Sequence, residues 1–442
     1  MKPSKWTECT VREIASPERN ALVGGPFGSD LVSKDYVSSG VPVIRGANMG
    51  KGRWVSGDFV FVSQEKADSL SSNCAKAGDL VYTQRGTIGQ VAVVPNTDAE
   101  RYLISQSQMK LTVDPTKADA LFLFYVFSGR EQQDYIQLNA IRTGVPHTNL
   151  SILRNTPVKL PNLAEQKAIA GILSALDSKI ELNHRINGEL EGVAKLLYDY
   201  WFVQYDFPLS AAQAAALGKP RLAGQPYRTS GGKMLFNPTL KREIPKGWEV
   251  GSLNCLGEIV GGSTPSTQED HFFSPQGIPW ITPKDLSRNT GNKFITRGEV
   301  GVTDKGIKGA SLTLLPAGTV LMSSRAPIGY TAIARNPVTT NQGFKSFVPS
   351  KGYSTEFIYY TLNHLMKTIE QNASGSTFKE VSGGTLKSIQ TQLPEPSNLS
   401  EFSDLMQPIF SQQDNIERQN QELTALRDWL LPMLMNGQVR VG

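Results

Sequence analysis

Residues 162–198 read NLAEQKAIAGILSALDSKIELNHRINGELEGVAKLLY and contain no proline. Apolar residues, with two asparagines among them, recur here at alternating intervals of four and three, which is the pattern of a helix that buries one stripe against another helix. The stripe consists of Ile169, Leu173, Leu176, Ile180, Asn183, Asn187, Leu190, Ala194 and Leu197. This pattern predicts a coiled-coil seam, and Asn162 followed by Glu165 is typical of a helix start.

The same pattern returns 236 residues later, in the segment 398–433. Its stripe consists of Leu405, Ile409, Gln412, Ile416, Gln419, Leu423, Leu426, Leu430 and Met433. Asn398 and Glu401 repeat the helix-start pair, while Pro408 predicts a kink or a later start. In-register pairing places Asn183 opposite Gln419, and the pattern leaves the relative direction of the helices open. The alternative is two unrelated amphipathic helices, each packed on its own domain.

The segments that precede the two helices also resemble each other, which indicates a diverged duplication. Residues 40–46, GVPVIRG, resemble residues 277–283, GIPWITP, and residues 77–94 resemble residues 317–334. Short β-type runs separated by Gly, Pro, Asn and Ser dominate both segments. We therefore predict an α+β fold with two globular domains, each followed by a long helix.

Charge is distributed unevenly between the predicted domains. These are a first globular domain, a first long helix, an Ala/Gly/Pro-rich connection, a second globular domain and a second long helix, at 1–160, 161–205, 206–245, 246–396 and 397–442. Each globular domain carries a net charge of +3 and the connection +4, whereas the two helices carry −2 and −3, within a total of +5. Two basic domains on acidic helices suit a polyanion contacted at two points, although +3 is a small excess.

The composition excludes several classes of protein. The 442 residues are 39% hydrophobic and 19% charged, which is typical of globular proteins and not of disordered or fibrous ones. Three scattered cysteines and four histidines predict neither a disulfide framework nor a metal site. The N-terminal segment has no apolar signal-peptide core, and the longest apolar run, 121–127, is far too short to span a membrane. We therefore expect a cytoplasmic protein.

The sequence carries no complete catalytic motif. The Gly-rich run 24–29 lacks the lysine of a phosphate-binding loop. Glu165-Gln166-Lys167 matches part of a nuclease motif, but it lies in the first turn of a predicted helix. The Asn-Pro pairs lack the remainder of an adenine methyltransferase motif, and GxSxG and HExxH are absent. These observations predict a binding protein and not an enzyme.

Side chains and loops that suit DNA contact occur at matched places in the two halves. The loops Gly25–Ser29 and Gly262–Pro265 offer backbone amides and hydroxyls, as phosphate contacts require. Arg85 and Arg325 lie in matched turns, from which an arginine can bond a phosphate or guanine. The candidate DNA-binding residues are Gly25, Phe27, Gly28, Ser29, Arg45, Asn48, Arg85, Arg142, His147, Thr148, Ser263, Thr264, Thr282, Lys284, Asp285, Arg325, Ser376, Thr377 and Lys379.

Some candidates suit a particular base. Asn48 can read adenine, whereas Lys284 and Asp285 can read guanine and cytosine edges. For any single candidate, a solvated surface side chain is the alternative. Ser105-Gln106 and Asn341-Gln342 are equally suited to holding a turn.

Several segments resemble the specificity (S) subunit of type I restriction–modification enzymes. They are GGPFGSDL (24–31), TQRGTIG (83–89), TGVPHTNLSILRNTPVKLPNLAEQKAIAGIL (143–173), LLYDYWFVQYDFP (196–208), IPKGWEV (244–250) and LRDWLLPMLMNGQV (426–439). The resemblance covers essentially the whole chain. The second half departs from the family pattern, because GGSTPST replaces GPFGS and LPEPSNLSEFSDLMQPI replaces the usual helix entry.

The resemblance implies a fold, a function and partners. Each globular domain would be a target recognition domain that reads one half of a bipartite, asymmetric DNA sequence. The two helices would pair as an antiparallel coiled coil with pseudo-twofold symmetry. Two methyltransferase (M) subunits would dock on the chain and use S-adenosylmethionine, which this chain itself would not bind. A restriction/motor (R) subunit would join them.

The helix length gives a spacing between the two half-sites. A seam from 169 to 197 spans roughly 43 Å at about 1.5 Å per residue, or on the order of 13 base pairs. The rival interpretations are a stand-alone sequence-specific DNA-binding protein, a methyltransferase or nuclease in its own right, and a coiled-coil scaffold that does not bind DNA.

Overall fold

The computed structural model describes residues 6–50, 52–142, 146–228, 230–375, 379–439 and 441. The chain divides into two compact units. Unit 1 comprises residues 1–182 and 420–442, and unit 2 comprises residues 183–419. Each unit therefore holds one globular region together with parts of both long helices.

Unit 1 begins with short strands and small helices. Its strands are β1 Thr7–Thr10, β2 Leu22–Gly24, β3 Tyr36–Val37, β4 Val41–Ile44, β5 Val60–Val62, β6 Cys74–Ala75, β7 Leu80–Thr83, β8 Val91–Val93, β9 Tyr102–Ile104, β10 Gln108–Leu111 and β11 Pro157–Leu160. Its helices are α1 Val11–Ile14, α2 Gln64–Ser69, α3 Ala120–Ser128, α4 Arg130–Asn139, α5 Leu150–Asn155 and the long α6 Leu163–Asp199, which continues into unit 2.

The strands of unit 1 form two sheets and one separate pair. The first sheet has the order β2-β10-β7-β8 and is antiparallel throughout. The second has the order β3-β5-β4-β9-β6, in which β4 and β9 are parallel. The separate pair joins β1 to β11, so the first strand of the globular region lies beside its last.

Unit 2 contains the remaining elements. Its strands are β12 Met234–Asn237, β13 Arg242–Pro245, β14 Glu249–Ser252, β15 Glu258–Gly261, β16 Phe273–Ile281, β17 Phe294–Ile295, β18 Val300–Val302, β19 Val320–Ser324, β20 Ile328–Ala334, β21 Thr339–Thr340, β22 Lys345–Val348 and β23 Gln390–Leu393. Its helices are α7 Ala211–Ala216, α8 Pro283–Arg288, α9 Asp304–Gly309, α10 Thr355–Gln371, α11 Gly383–Ser388 and the long α12 Pro396–Met435, which continues into unit 1.

The topology of unit 2 repeats that of unit 1. The antiparallel order β15-β22-β19-β20 corresponds to β2-β10-β7-β8. The parallel pair of β16 and β21 corresponds to β4 and β9, and the antiparallel pair of β14 and β23 corresponds to β1 and β11. The structure thus confirms the predicted α+β fold built from two repeated halves.

Both long helices run antiparallel to each other within each unit. In unit 2 the Asn183 amide donates to Gln419 at 3.4 Å, and the Gln413 amide donates to Glu191 at 3.1 Å. Residue numbers therefore rise on one helix as they fall on the other. The predicted pairing of Asn183 with Gln419 is confirmed.

The two long helices begin in different ways. Asn162 caps α6 as expected, because its side-chain oxygen accepts a hydrogen bond from the Glu165 backbone at 3.0 Å. The equivalent expectation for Asn398 is wrong, since α12 already begins at Pro396, where a proline is well suited to the first turn. Asn398 instead accepts a hydrogen bond from the Trp248 indole at 3.3 Å. A later start at Pro408 is also wrong, because α12 continues through it.

The buried stripe of α12 differs from the predicted seam by about one residue. Its buried members are Leu399, Phe402, Met406, Phe410, Gln413, Ile416, Glu417, Asn420 and Leu434. The predicted seam residue Leu426 is 43% exposed, and Gln419 is exposed although it contacts Asn183. Between Leu399 and Phe410, α12 packs on an aromatic core that includes residues of α10, which accounts for the shift in that part of the helix. The predicted seam residue Ile416 is buried as expected. Buried seam residues on α6 include Ile169, Leu173 and Asn183.

An aromatic core closes unit 2 around the end of α6. A π-helical turn, Tyr200–Gln204, ends this helix. Its Phe202 packs edge-on against Phe357 and Phe402, with ring centroids 4.8 Å apart in each case. Such pairs combine large apolar burial with favourable ring electrostatics. The segment quoted from 196–208 is therefore a packing element of unit 2.

Candidate nucleic-acid interface

The Gly-rich loop of unit 1, residues 24–29, is held in place by hydrogen bonds from Gln106. A Cβ atom at Gly25 would collide with the Ser105 carbonyl, so the loop backbone approaches this turn as only glycine permits. The Gln106 amide donates to the carbonyls of Gly28 at 3.1 Å and Leu31 at 2.6 Å. These bonds hold the loop so that Phe27 projects outward.

A second turn lies beside this loop and carries Arg85. The Gln84 backbone donates to Ser107 at 2.6 Å, and the Thr148 backbone donates to Gln84 at 2.9 Å. Arg85 is exposed and forms a β-bridge with His147. Backbone hydrogen bonds thus bring together three loops that are far apart in sequence.

We call this surface face 1. It consists of Gly25, Phe27, Gly28, Ser29, Arg85, Gln106, Arg142 and His147. The exposed Arg142 belongs to it because the neighbouring Ile141 forms a β-bridge with His147. Phe27 is 83% exposed, the largest exposed fraction among the large apolar side chains of the described residues. Face 1 combines basic groups, loop amides and an exposed aromatic ring.

Unit 2 builds an equivalent surface with different side chains. A Cβ atom at Gly262 would collide with the Asn341 carbonyl, and Gln342 bonds the Thr264 hydroxyl. The Val381 backbone donates to Ser324 at 3.0 Å, as Thr148 does to Gln84 in unit 1. Gly262 and Asn341 therefore repeat Gly25 and Ser105.

We call this second surface face 2. It consists of Gly262, Ser263, Thr264, Arg325, Gln342, Lys345, Lys379 and Glu380. Glu380 forms a β-bridge with Arg325, and its carboxylate lies 3.7 Å from the Arg325 guanidinium and 3.9 Å from the Lys345 ammonium. Face 2 thus places an acid where face 1 has His147.

Asn48 and Asp285 are buried and support turns, so the prediction that they read bases is wrong. Asn48 is 1% exposed; its oxygen accepts from the Arg45 backbone at 3.0 Å and its amide donates to Ser56 and Asp58. Asp285 is 8% exposed and accepts from the Thr282 backbone at 2.8 Å. Each side chain therefore caps the turn that follows the matched strand.

Two further candidates are committed to internal hydrogen bonds. Thr148 is buried, and its hydroxyl points at the Thr83 carbonyl at 3.5 Å, which contradicts a role in DNA contact. The Thr282 hydroxyl donates to Asp285 at 2.6 Å as part of the cap. Both hydroxyl groups therefore have partners within the protein.

Arg45 and Lys284 both lie just after the matched strands, although the position equivalent to Arg45 is Thr282. The half-buried Arg45 donates to the Asp58 carbonyl at 3.4 Å. Lys284 is exposed and pairs with Glu299 at 2.9 Å, as does Arg288. Hydrogen bonding and charge from Lys284, with a contribution from Arg288, lower the pKa of Glu299. Lys284 therefore has a carboxylate partner already.

Ser376 and Thr377 lie outside the described residues. The sequence reasoning missed Glu380 and Lys345 as members of face 2. The equivalence of His147 and Glu380 is visible in the structure, where the bridges Ile141–His147 and Ser374–Glu380 each join residues six positions apart. Gln106 and Gln342 were predicted only as possible turn-holding groups, and the structure shows them in that role.

The described residues offer no other kind of site that stands out. Among them, no group of three or more His, Cys, Asp or Glu side chains lies close enough to bind a metal ion. None of the described helices has the length and apolar character needed to cross a membrane.

Comparison with known proteins identifies the family. The family model described as "Type I restriction modification DNA specificity domain" matches residues 26–192 and 245–425. The MjaIX specificity subunit of Methanocaldococcus jannaschii is 41% identical over 208 residues, covering 44% of this chain and 46% of that protein. This match therefore spans about half of the relative. The HindI specificity subunit of Haemophilus influenzae is 27% identical over 404 residues, covering 82% of this chain and 87% of that protein.

A solved structure shows the same fold. The S subunit of the type I restriction–modification system from M. genitalium covers 98% of this chain and 99% of its own, with a TM-score of 0.57 and 17% identity. The family model matches once in each half of the chain, in agreement with the repeated topology. The chain therefore belongs to the family of type I restriction–modification DNA specificity proteins.

Proposed function

We propose that the chain is the DNA specificity subunit of a type I restriction–modification complex. It binds a bipartite, asymmetric double-stranded target, with face 1 reading one half and face 2 the other. One observation carries the proposal: the two faces occupy equivalent places in a repeated topology but present different side chains, His147 in one and Glu380 in the other. Equivalent placement suits two half-sites, and different chemistry suits two different sequences.

Each face offers both kinds of contact that DNA recognition needs. Loop amides and hydroxyls at 25–29 and 262–264 suit phosphate oxygens, which position a protein on the duplex. The arginines at 85 and 325 suit either phosphate or the guanine edge in the major groove. Contacts of the first kind supply salt-dependent affinity, and contacts of the second kind supply sequence discrimination.

The catalytic groups belong to partners in this proposal. Two methyltransferase subunits dock on the chain and bind S-adenosylmethionine, and restriction/motor subunits join the assembly. This chain binds no cofactor. We expect the complex to act in the cytoplasm, where the DNA of a prokaryotic cell lies.

The proposal is tested by mapping methylation in cells that carry the chain with its methyltransferase partner. We expect adenine methylation at a single bipartite motif, and loss of all methylation at that motif when the gene for this chain is deleted. Unchanged methylation after deletion would overturn the proposal.

Purified components separate the proposal from its rivals. We expect the chain to co-purify with two methyltransferase subunits, and to transfer no labelled methyl group from S-adenosylmethionine to DNA when alone. Tight, sequence-specific binding by a chain that never associates with a methyltransferase would instead indicate a stand-alone DNA-binding protein. Methyl transfer by the isolated chain would indicate an enzyme.

A further inference from the structure

A polar cluster in unit 1 joins the globular region to both long helices. Arg53 is 7% exposed, and its guanidinium pairs with Glu181 of α6 at 3.1 Å. The Tyr125 hydroxyl donates to one oxygen of Asp177 at 2.6 Å, and the other oxygen pairs with Arg427 of α12 at 2.9 Å. Arg427 also pairs with Asp428 at 2.8 Å, so the cluster holds two cations and three carboxylates.

A corresponding cluster in unit 2 is built around a buried lysine. Lys293 is 5% exposed, and its ammonium lies 2.6 Å from Glu191 of α6 and 2.7 Å from the Gln413 oxygen of α12. The Tyr360 hydroxyl donates to Glu191 at 3.0 Å, and the Lys293 backbone donates to Glu417 at 2.6 Å. Burial lowers the pKa of Lys293, and Glu191 opposes that change.

A second cation completes the unit 2 cluster. Arg335 is almost fully buried and pairs with Glu417 at 2.8 Å and with Asp414. Glu417 is nearly inaccessible, and burial raises its pKa, while the two backbone donors and Arg335 act in the opposite direction. Removing one partner from a buried group of charges of this kind leaves an uncompensated charge.

The two clusters occupy equivalent places in the repeat. The helix positions Asp177 and Gln413, Glu181 and Glu417, and Glu191 and Arg427 are each separated by 236 residues. Arg53 and Lys293 also correspond. The Val93 backbone donates to the Arg53 carbonyl at 2.8 Å, and the equivalent Ile333 backbone donates to the Lys293 carbonyl at 2.9 Å. The charge at one equivalent position is opposite in the two clusters. In unit 1 this position is Arg427 of α12, and in unit 2 it is Glu191 of α6.

We propose that this reversed charge makes each half of the chain select the other half as its partner and reject a copy of itself. The occupant of the helix face of unit 1 is the second-half helix α12, and that of unit 2 is the first-half helix α6. The inference goes beyond DNA recognition and does not depend on it.

Pairing two first halves would bring like charges together. In an antiparallel pair of two copies of α6, the position of Arg427 is taken by Glu191 of the other copy. Asp177 would then face Glu191 beside Tyr125, and the cluster would hold three carboxylates against the single cation Arg53. The same conflict would arise at both ends of the symmetric pair.

Pairing two second halves would produce the opposite conflict. In an antiparallel pair of two copies of α12, the position of Glu191 is taken by Arg427 of the other copy. Lys293 would then lose its Glu191 partner and face Arg427, while the carboxylates of Glu417 and Asp414 are already paired with Arg335 and Asp428 with Arg427. Removing one partner of a buried ion pair leaves an uncompensated charge, so we expect self-pairing to be weaker by a factor of about 100 or more.

The test uses the whole chain, cut after folding. A protease site is inserted at the exposed Gly218, between α7 and the following turn, and the purified chain is cleaved into an N fragment and a C fragment that remain together. The cut protein is unfolded in denaturant and refolded, and the species are counted by native mass spectrometry. We expect N–C pairs with N–N and C–C pairs each below about 1% of the total.

Two charge reversals are expected to change the partner. In a pair of N fragments, Glu191→Arg places the new arginine of one copy against Asp177 of the other. In the N–C pair the same arginine lies against Lys293. We therefore expect N–N pairs to appear. Arg427→Glu should produce C–C pairs, because the new carboxylate meets Lys293. The matched control is Glu189→Arg, which makes the same charge change at an exposed position of α6 outside the cluster and should leave the N–C pair unchanged.

Three results would overturn the proposal. One is a wild-type mixture of N–N, N–C and C–C species near the random ratio after refolding. Another is a Glu191→Arg distribution identical to that of Glu189→Arg. The third is an Arg427→Glu chain whose C fragments form no C–C pairs. If Glu191→Arg fails to refold, the Arg427→Glu chain and the wild-type distribution still test the inference.

Discussion

Face 1 and face 2 stand at the same place in the repeated topology but differ in the group beside their arginine. In face 1 the exposed Arg85 forms a backbone β-bridge with His147. In face 2 Arg325 forms the equivalent β-bridge with Glu380, and the Glu380 carboxylate lies 3.7 Å from the Arg325 guanidinium. The Gly-rich loops differ as well, since Phe27 projects from the first and Thr264 from the second. The comparison teaches that the topology repeats the position of the surface, while individual side chains set its chemistry.

The ion pair changes what an arginine can do. A guanidinium that reads guanine must present two donors in one plane, and holding it there costs side-chain entropy. Because Glu380 lies 3.7 Å from the Arg325 guanidinium, we expect Arg325 to read a base. We expect the exposed Arg85 to contact a phosphate, for which a less restricted cation suffices.

The largest effect is expected where the two units are alike, at the buried side chains that cap the turns after the matched strands. Asp285→Ala removes the acceptor for the Thr282 and Glu299 backbones, and Asn48→Ala removes the equivalent acceptor in unit 1. Because buried donors are left unpaired, each substitution should lower the free energy of unfolding by about 2–3 kcal/mol. Denaturant unfolding measures this. A loss below about 0.5 kcal/mol would show that these side chains are dispensable for the fold.

The next effect separates the two arginines. Arg325→Ala should relax the methylation motif at one base position in one half-site, at a cost of about 1–3 kcal/mol in discrimination. The half-site read by face 1 should stay the same. Methylation mapping of the variant complex checks this, and a motif changed in both halves would contradict independent reading.

Arg85→Ala is the matched substitution in face 1. We expect it to leave the motif unchanged, to weaken binding about equally for all sequences, and to reduce the slope of log affinity against log salt by about one. Binding titrations at several salt concentrations provide the measurement. A motif that changes in the half-site of face 1 would show that Arg85 also reads a base.

The smallest effect tests the acid itself. Glu380→Gln removes a negative charge from face 2, so binding to non-specific DNA at low salt should strengthen by about 0.5–1 kcal/mol, while discrimination at the Arg325 position falls. Glu258→Gln, an exposed carboxylate of the same unit outside face 2, is the control for net charge. Equal effects of the two substitutions would mean that Glu380 has no specific relation to Arg325.

The repeat and the first helix could be predicted because they depend on local patterns. Asn162 caps α6, as its spacing from Glu165 predicts. Ile169 and Leu173 are buried, as the alternating four- and three-residue spacing predicts. The same positions on α12 were predicted only in part. Ile416 is buried as expected, but Phe402 and Phe410, which lie outside the predicted stripe, are buried in the aromatic core of unit 2. Periodicity predicts that one face of a helix is buried, but it does not predict which neighbouring elements that face packs against.

The site was harder to predict because capping and base reading use the same atoms. An amide such as Asn48 or a carboxylate such as Asp285 can bond a base edge or a backbone. The spacing of Thr282 and Asp285 was itself the signature of a capping box, and it favoured the structural role. Glu380 was missed because a search for basic residues passes over the acid that orients one.

The pairing of β14 with β23 has a consequence for how such a gene changes over generations. The chain enters and leaves the second globular region through two strands that lie side by side, Glu249–Ser252 and Gln390–Leu393. Any foreign segment whose two ends lie about one strand spacing apart, roughly 4.8 Å, could be grafted between them without moving either long helix. Exchange of the gene segment between these two strands would therefore replace the second globular region while leaving the rest of the chain intact.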